Sequence, residues 1–342
     1  MRHVNLAWEA LSGVVVKANS GGDERWPGRD GFRVGPRIIF DGLAAFAVGG
    51  RHHMNLRQLN QSGAKPTGQV PSPAEESLQR RYGQQAPNLG AVWNTVLAGL
   101  LAHRSVRAWR PDKLPDGALE AIIAAAQSAA SSSNLQTWSV LVVEDEARKA
   151  RLSDIAGKQA FIRQAPLFLV WLADLSRVER LAREAGKPDE GIHFLETFLV
   201  SVIDAALAAQ NAVVALESLG LGGVYIGAMR NDINAVASEL GLPPHVVAVF
   251  GLCVGYPDPD RAYEVKPRLP QQVVVHRETY QIRPRDQAIA SYDDVLRQFQ
   301  VSQNLPAIGW VEAVLKRMGS VGAMYGRENL KAELGVLGYQ LR

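Results

Sequence analysis

Cysteine occurs once in the 342 residues, at Cys253. That count excludes an internal disulfide framework and any multi-cysteine metal site. Cys253 lies in the apolar run Phe250-Gly251-Leu252-Cys253-Val254 and reads as a buried small hydrophobe rather than a nucleophile. The seven histidines show no metal-ligand spacing, and the adjacent pair His52-His53 belongs to an atypical N-terminal region, so no bound metal is expected. The longest unbroken apolar run, Ala165 to Ala173, has the length of an interior strand and is too short to span a bilayer. No continuous apolar stretch follows Arg2, so no secretory signal is read. A dinucleotide fingerprint is also missing: Gly220-Leu221-Gly222-Gly223 follows a helix and opens a strand, the reverse of the required order. No Walker-A, G-x-S-x-G or HExxH sequence occurs. These absences leave a cytoplasmic enzyme, not membrane-bound, as the expectation.

What is present fits a globular protein. Apolar residues make up 47% and charged residues 21%, enough to build a sizeable core. The sequence pI is about 9.0, but residues 1–73 hold nine Lys/Arg against five Asp/Glu, while the remainder holds 28 against 29. The basic excess therefore sits outside the regular part of the chain. A nucleic-acid binder concentrates positive charge on a folded face, so no nucleic-acid partner is expected. Residues 1–73 mix Gly/Arg/Asp clusters with short apolar pieces and close in Ser62 to Pro73, a linker by composition. They are expected to form a poorly ordered or non-native extension, with the native start at Met54 or a nearby codon.

From Ala74 the pattern becomes regular. Helices are expected over 75–82, 91–102, 116–128, 145–156, 194–219, 232–240, 292–299 and 310–317, the 232–240 helix capped by Asn231. Strands are expected over 139–143, 165–173, 224–227 and 245–254, with Gln271 to His276 extended and the last residues a loose tail. Asp174 to Gly191 reads as a polar excursion. Phe194 to Leu219 is apolar nearly all round, which places it at the centre of the domain or in a subunit interface.

Four segments carry candidate chemistry. His103-Arg104-Ser105-Val106-Arg107 gathers two guanidiniums and an imidazole, an anion site if the backbone turns them to one side and a solvated basic turn if it does not. Ser128 to Gln136 supplies hydroxyls and amides (Ser131, Ser132, Ser133), or is a helix C-terminal turn. Gln159 is a polar amide or a surface residue. Lys266-Pro267-Arg268 holds two cations apart on a stiff proline, or is a solvated loop.

In order, HRSVR, SAASSSNLQ, GKQ, ESLGLGGVYIGAMRN, FGLCVGYP and KPRLP resemble the FMN-dependent nitroreductase family, in particular its group A oxygen-insensitive NAD(P)H nitroreductases and flavin reductases. The resemblance runs from about Leu97 to Gln281. It implies an α+β fold with a central mixed, mainly antiparallel sheet flanked by helices, in an intertwined homodimer. It also implies FMN as cofactor and NADPH or NADH as donor. Domain limits follow: 74–285 as the FMN-binding domain and 286–342 as a helical segment covering the active site. By the family pattern His103, Arg104, Ser105 and Arg107 hold the FMN phosphate and ribityl tail, and Lys266, Pro267 and Arg268 approach the same phosphate. Ser131, Ser132, Ser133 and Gln159 contact the ribityl chain or ring. Tyr225, Ile226, Gly227 and Ala228 present backbone near the ring, including a donor towards N5. Ala228 stands where many members have a second glycine.

The implied activity is two-electron, ping-pong reduction of a small nitroaromatic or quinone, with the hydride chemistry belonging to the cofactor and no side chain acting as catalyst. The alternatives are a flavin reductase that supplies reduced flavin to a partner, or a non-catalytic flavin-binding protein. NADPH-preferring relatives carry an Arg-Gly-Ser stretch that helps bind the 2′-phosphate. The comparable Phe299 to Asn304 has no arginine, and Arg297 and Lys316 are substitutes that do not align. An NADPH preference is therefore not carried over, and NADH stays open.

Overall fold

The computed structural model describes residues 71–261, 264–282 and 286–342. The expectations for residues 1–70, including the start at Met54, lie outside the described residues. The first described helix, α1 (Pro73–Tyr82), begins inside the segment read as linker. Ser72 and Glu75 close a reciprocal capping box, and Pro73 occupies the first turn. Then follow α2 (Thr95–Ala102), α3 (Ala118–Gln127), β1 (Trp138–Val143), α4 (Glu146–Ile155), α5 (Ala160–Gln164) and β2 (Leu167–Asp174). After them come α6 (Ser176–Glu184), α7 (Leu195–Ser218), β3 (Gly222–Ile226), α8 (Ile233–Leu240) and β4 (Val246–Gly255). The chain ends with α9 (Gln271–Val274), α10 (Gln287–Ser302), α11 (Trp310–Met318) and α12 (Leu330–Val336).

The four strands form one sheet in the order β1-β2-β4-β3, and every ladder is antiparallel. The mixed character expected of the sheet is confined, among the described residues, to one isolated parallel bridge, Ser105 to Gly223. β2 is central and buried along its whole length, and its side chains divide by alternation. Phe168, Val170 and Leu172 pack with Leu152, Ile162 and Val236 on the side of α4, α5 and α8. Leu167, Leu169 and Trp171 pack with Ile122, Ala209 and Leu216 on the side of α3 and α7. Cys253 is fully buried in the first of these layers, and burial pushes its thiol pKa up, which keeps it protonated and inert.

By length and composition α7 is apolar enough to cross a membrane. Ala205, Ala208, Ala209, Ala212, Val213 and Leu216 instead bury one of its faces in the protein core. The opposite face is left uncovered by the described residues, with Ile203 55% and Leu207 43% exposed. Among the described residues, burial on both sides is thus not met.

Several expectations are corrected. Asp174 to Gly191 contains α6, whose Val178 joins a third core cluster. Asp232, not Asn231, caps α8, because its carboxylate accepts from the Ala235 N–H at 2.8 Å. Gln271 to Val274, within the Gln271 to His276 segment expected to be extended, forms one helical turn after Pro270. The tail is not loose: α12 follows two 3₁₀ turns, and the buried Tyr339 donates to the Ala173 carbonyl at 3.1 Å.

Gly251 lies on β4 opposite Val170 of β2 and Ile226 of β3. A Cβ there would overlap the buried Phe168 ring. Gly251→Ala should therefore destabilise the fold by about 1–3 kcal/mol through overpacking. Urea unfolding measures this; a stability equal to the parent would show that the ring can move aside.

Candidate functional site

The HRSVR segment is shaped by β3. Asn94 caps α2 by accepting from the Leu97 N–H at 2.9 Å, and the helix gives way to extended backbone at His103. Val106 then donates its N–H to the Gly223 carbonyl at 2.9 Å, which lays the segment alongside β3. Close approach requires Gly222, where any Cβ would run into the Val106 side chain. Val106 is buried, while Arg104, Ser105 and Arg107 stay exposed. His103 Nδ1 lies 2.6 Å from Glu217 Oε1 at the end of α7.

The structure brings the Lys266–Arg268 loop to this segment. Desolvation, then the charges of Arg107 and Arg268, lower the pKa of Lys266. No salt bridge pairs Arg107, Lys266 or Arg268 with a carboxylate among the described residues. The loop itself is anchored from two sides. Tyr292 on α10 donates to the Pro267 carbonyl at 3.1 Å, and Arg81 on α1 donates to the Lys266 carbonyl at 2.7 Å. Arg104 separates from this group and lines a cavity of about 370 Å³ with Val96, Leu100 and Glu217, between α2 and α7.

At the other end, β3 runs into the 3₁₀ turn Gly227–Arg230. Tyr225 faces outward and meets Phe250 edge-on at 5.1 Å. Ile226 and Ala228 are buried, so the methyl group of Ala228 is accommodated in the core. Gly223 and Gly227 are four residues apart, about 13 Å along a strand, a separation suited to an elongated ligand rather than a compact ion. The Gly157–Gln159 turn approaches here, since a Cβ on Gly157 would lie 3.9 Å from Asn231 Nδ2. Gln159 Nε2 donates to the Ala156 carbonyl at 3.0 Å, while the Gln159 carbonyl accepts from Ser153 Oγ at 2.9 Å.

The serine loop is organised by a residue that sequence reasoning passed over. Asp204, 1% exposed on α7, accepts from Ser131 Oγ at 2.8 Å, the Ser132 N–H at 3.3 Å, and Thr137 through its N–H at 3.0 Å and Oγ1 at 3.1 Å. Ser133, Asn134 and Gln136 all adopt positive φ, conformations that need outside support in residues with a Cβ. Ser131 Oγ also accepts from the Gln136 N–H at 2.8 Å, so this hydroxyl shapes the loop while Ser132 and Ser133 remain exposed.

A second arginine group was also missed. Burial, then Arg327 and Arg317, lower the pKa of Arg230, whose guanidinium donates to the Val249 carbonyl. Arg327 Nε donates to Asn231 Oδ1 at 2.9 Å. Arg230 stands within the motif ESLGLGGVYIGAMRN, and Arg317 and Arg327 come from the C-terminal segment. Arg297, one of the two cations that do not align with the relatives' phosphate-binding arginine, is paired with Asp293 at 2.8 Å.

Comparison with known proteins follows the same segments. The Nitroreductase family profile matches residues 100–256, and the profile of the Nitroreductase family, C-terminal domain, matches residues 266–342. An oxygen-insensitive NADPH nitroreductase of Salmonella typhimurium is 42% identical over 207 residues, 60% of this chain and 82% of that protein. An FMN reductase (NADPH) of Bacillus subtilis is 39% identical over 209 residues, 60% of this chain and 83% of that protein. The solved structure of the Vibrio harveyi NADPH:FMN oxidoreductase complexed with NAD+ superposes with a TM-score of 0.64 at 35% identity, covering 73% of this chain and all of that one. The motifs, the sheet flanked by helices and these matches agree: the chain belongs to the nitroreductase family.

Proposed function

We propose that this chain is an FMN-dependent NAD(P)H oxidoreductase that reduces nitroaromatic compounds or quinones. One observation carries the reading: Arg107, Lys266 and Arg268 converge with no carboxylate partner among the described residues, which leaves their charges available to an anion. A phosphate dianion fits that donor set, since guanidinium forks and an ammonium both form charge-assisted bonds to its oxygens. The names of the relatives, an NADPH nitroreductase and an FMN reductase (NADPH), support the same cofactor and donor.

In this reading Arg107, Lys266, Pro267 and Arg268 hold the phosphate, with Ser105 beside it and His103 oriented by Glu217, while Arg104 turns away into the cavity between α2 and α7. Ser132, Ser133 and Gln159 face the ribityl chain or ring, and Ser131 supports them through Asp204. Tyr225, Ile226, Gly227 and Ala228 line the ring with backbone. When bound, FMN supplies hydride acceptance and donation in a ping-pong cycle, so no side chain serves as nucleophile. Arg230, Arg317 and Arg327 then offer the cations that Phe299 to Asn304, the end of α10, lacks, and they favour NADPH over NADH.

The uncovered face of α7 is assigned to a homodimer interface, because Leu199, Ile203 and Leu207 form an apolar stripe on a helix already anchored in the core. Residues 74–285 are assigned to the FMN-binding domain and 286–342 to a cover over the site, consistent with Arg317 and Arg327 reaching Arg230. The cytoplasm, where reduced nicotinamide nucleotides are available, is the assigned compartment. A second reading, reduction of free flavin for a partner enzyme, is favoured by the Bacillus relative's name.

Reconstitution with FMN should give a bound flavin spectrum and oxidation of NADPH faster than NADH when nitrofurazone or menadione is present. A protein that retains no flavin would defeat the assignment, and turnover with free flavin alone would select the second reading.

FMN affinity should also fall as pH rises. The pKa of Lys266 is depressed in the free protein by desolvation and by Arg107 and Arg268, whereas a bound dianion favours the protonated ammonium. Binding above the free pKa therefore takes up a proton, and affinity weakens as the pH climbs through it. FMN titrations between about pH 7 and 10 should show this decline, and Lys266→Gln should remove it. A flat profile in the parent protein would contradict the role of Lys266.

A further inference from the structure

Helix α1 lies upstream of both segments matched by the family profiles, which begin at residues 100 and 266. It is a built element rather than a stray turn: a reciprocal cap starts it, and Gly83 ends it with its N–H on the Gln79 carbonyl. It buries two residues, Leu78 and Arg81. Arg81 is 4% exposed, an unusual place for a guanidinium with no carboxylate partner among the described residues. Its Nη1 donates to the Lys266 carbonyl at 2.7 Å. Its Nη2 donates to the carbonyls of Leu101 at 2.6 Å and His103 at 2.9 Å. The Arg81 carbonyl in turn accepts from the Arg268 N–H at 3.0 Å. One residue thus ties the end of α2 and the start of HRSVR to the Lys266–Arg268 loop, across 185 positions of sequence.

We propose that Arg81 is a positioning residue for the phosphate site, clamping the His103–Arg107 and Lys266–Arg268 segments in the register that aims Arg107, Lys266 and Arg268 at one anion. The proposal rests on the reading of that site as the place of the FMN phosphate. A planar fork is needed because the acceptors are divided between two nitrogens; a lysine ammonium keeps the charge but is a single, shorter point donor. Burial, then the charge of Arg268, lower the pKa of Arg81, as expected of a cation held against its neighbours' repulsion. The carbonyl oxygens offset that cost in the free protein. A bound phosphate would add to the stability of the whole arrangement.

The test uses the full chain with Arg81→Lys and Arg81→Gln. FMN and riboflavin are titrated by flavin fluorescence, and backbone hydrogen exchange of the flavin-free protein is followed by mass spectrometry. Both variants should bind FMN about tenfold more weakly, the effect of losing a charge-assisted contact at one remove, with riboflavin affinity unchanged. Exchange should rise in the 101–107 and 264–269 segments and stay unchanged in β2 and β4. Parental FMN affinity in Arg81→Lys would overturn the clamp by showing that charge alone suffices. Equal losses for FMN and riboflavin would overturn it in favour of general damage. If the parent protein itself fails to distinguish FMN from riboflavin, the phosphate reading fails. The exchange data then still decide the clamp, and unaltered exchange in the two segments overturns it.

Discussion

Like charges repel, and this fold holds several of them together. Arg81, Arg107, Lys266 and Arg268 meet where HRSVR and the Lys266–Arg268 loop come side by side, and the pKa values of Arg81 and Lys266 are both pressed down. Such a group persists only if the backbone around it is over-determined. Tyr292 holds Pro267 from one side and Arg81 holds the two flanking segments from the other. The sheet supplies the third restraint through the Val106–Gly223 hydrogen bond, which Gly222 makes sterically possible. The electrostatic cost of the site is therefore distributed over α1, α10 and β3.

The same strand organises the opposite end. β3 leaves HRSVR at Gly223 and enters the Gly227 turn, beside which Arg230, Arg317 and Arg327 gather. Two cation groups are thus separated by one short strand, the separation on which the proposed placing of a flavin phosphate and a nucleotide donor rests. α7 connects this framework to the serine loop through Asp204, whose four accepted hydrogen bonds stabilise a run of left-handed residues. α7 thus carries both a buried carboxylate that shapes the serine loop and an apolar face left uncovered by the described residues.

Local pattern made most elements legible. β2 and β4 announce themselves as continuous apolar runs because both faces of the sheet are covered, and α7 because one face packs on the sheet and the other is equally apolar. The motifs carrying cations and serines were legible through their order along the chain. α6 was hidden because its charged residues, Arg180, Arg183 and Glu184, outweigh the few apolar positions that face the core. The tail was hidden because Tyr339 finds its hydrogen bond at Ala173, far away in sequence. Asn231 and Asp232 are both good capping residues, and only the backbone turn after Arg230 chooses between them. Arg81, Asp204 and the Arg230 group were illegible for one reason: each acquires its role from partners at least 19 residues away, whose docking no local pattern encodes.

Whether the converging cations form the phosphate end of a flavin site is tested most directly by a crystal structure of the FMN complex. The phosphate should lie within hydrogen-bond distance of Arg107, Lys266 and Arg268, with the Arg81 fork to Lys266, Leu101 and His103 intact. A phosphate bound elsewhere, with those three side chains left facing solvent, would contradict it.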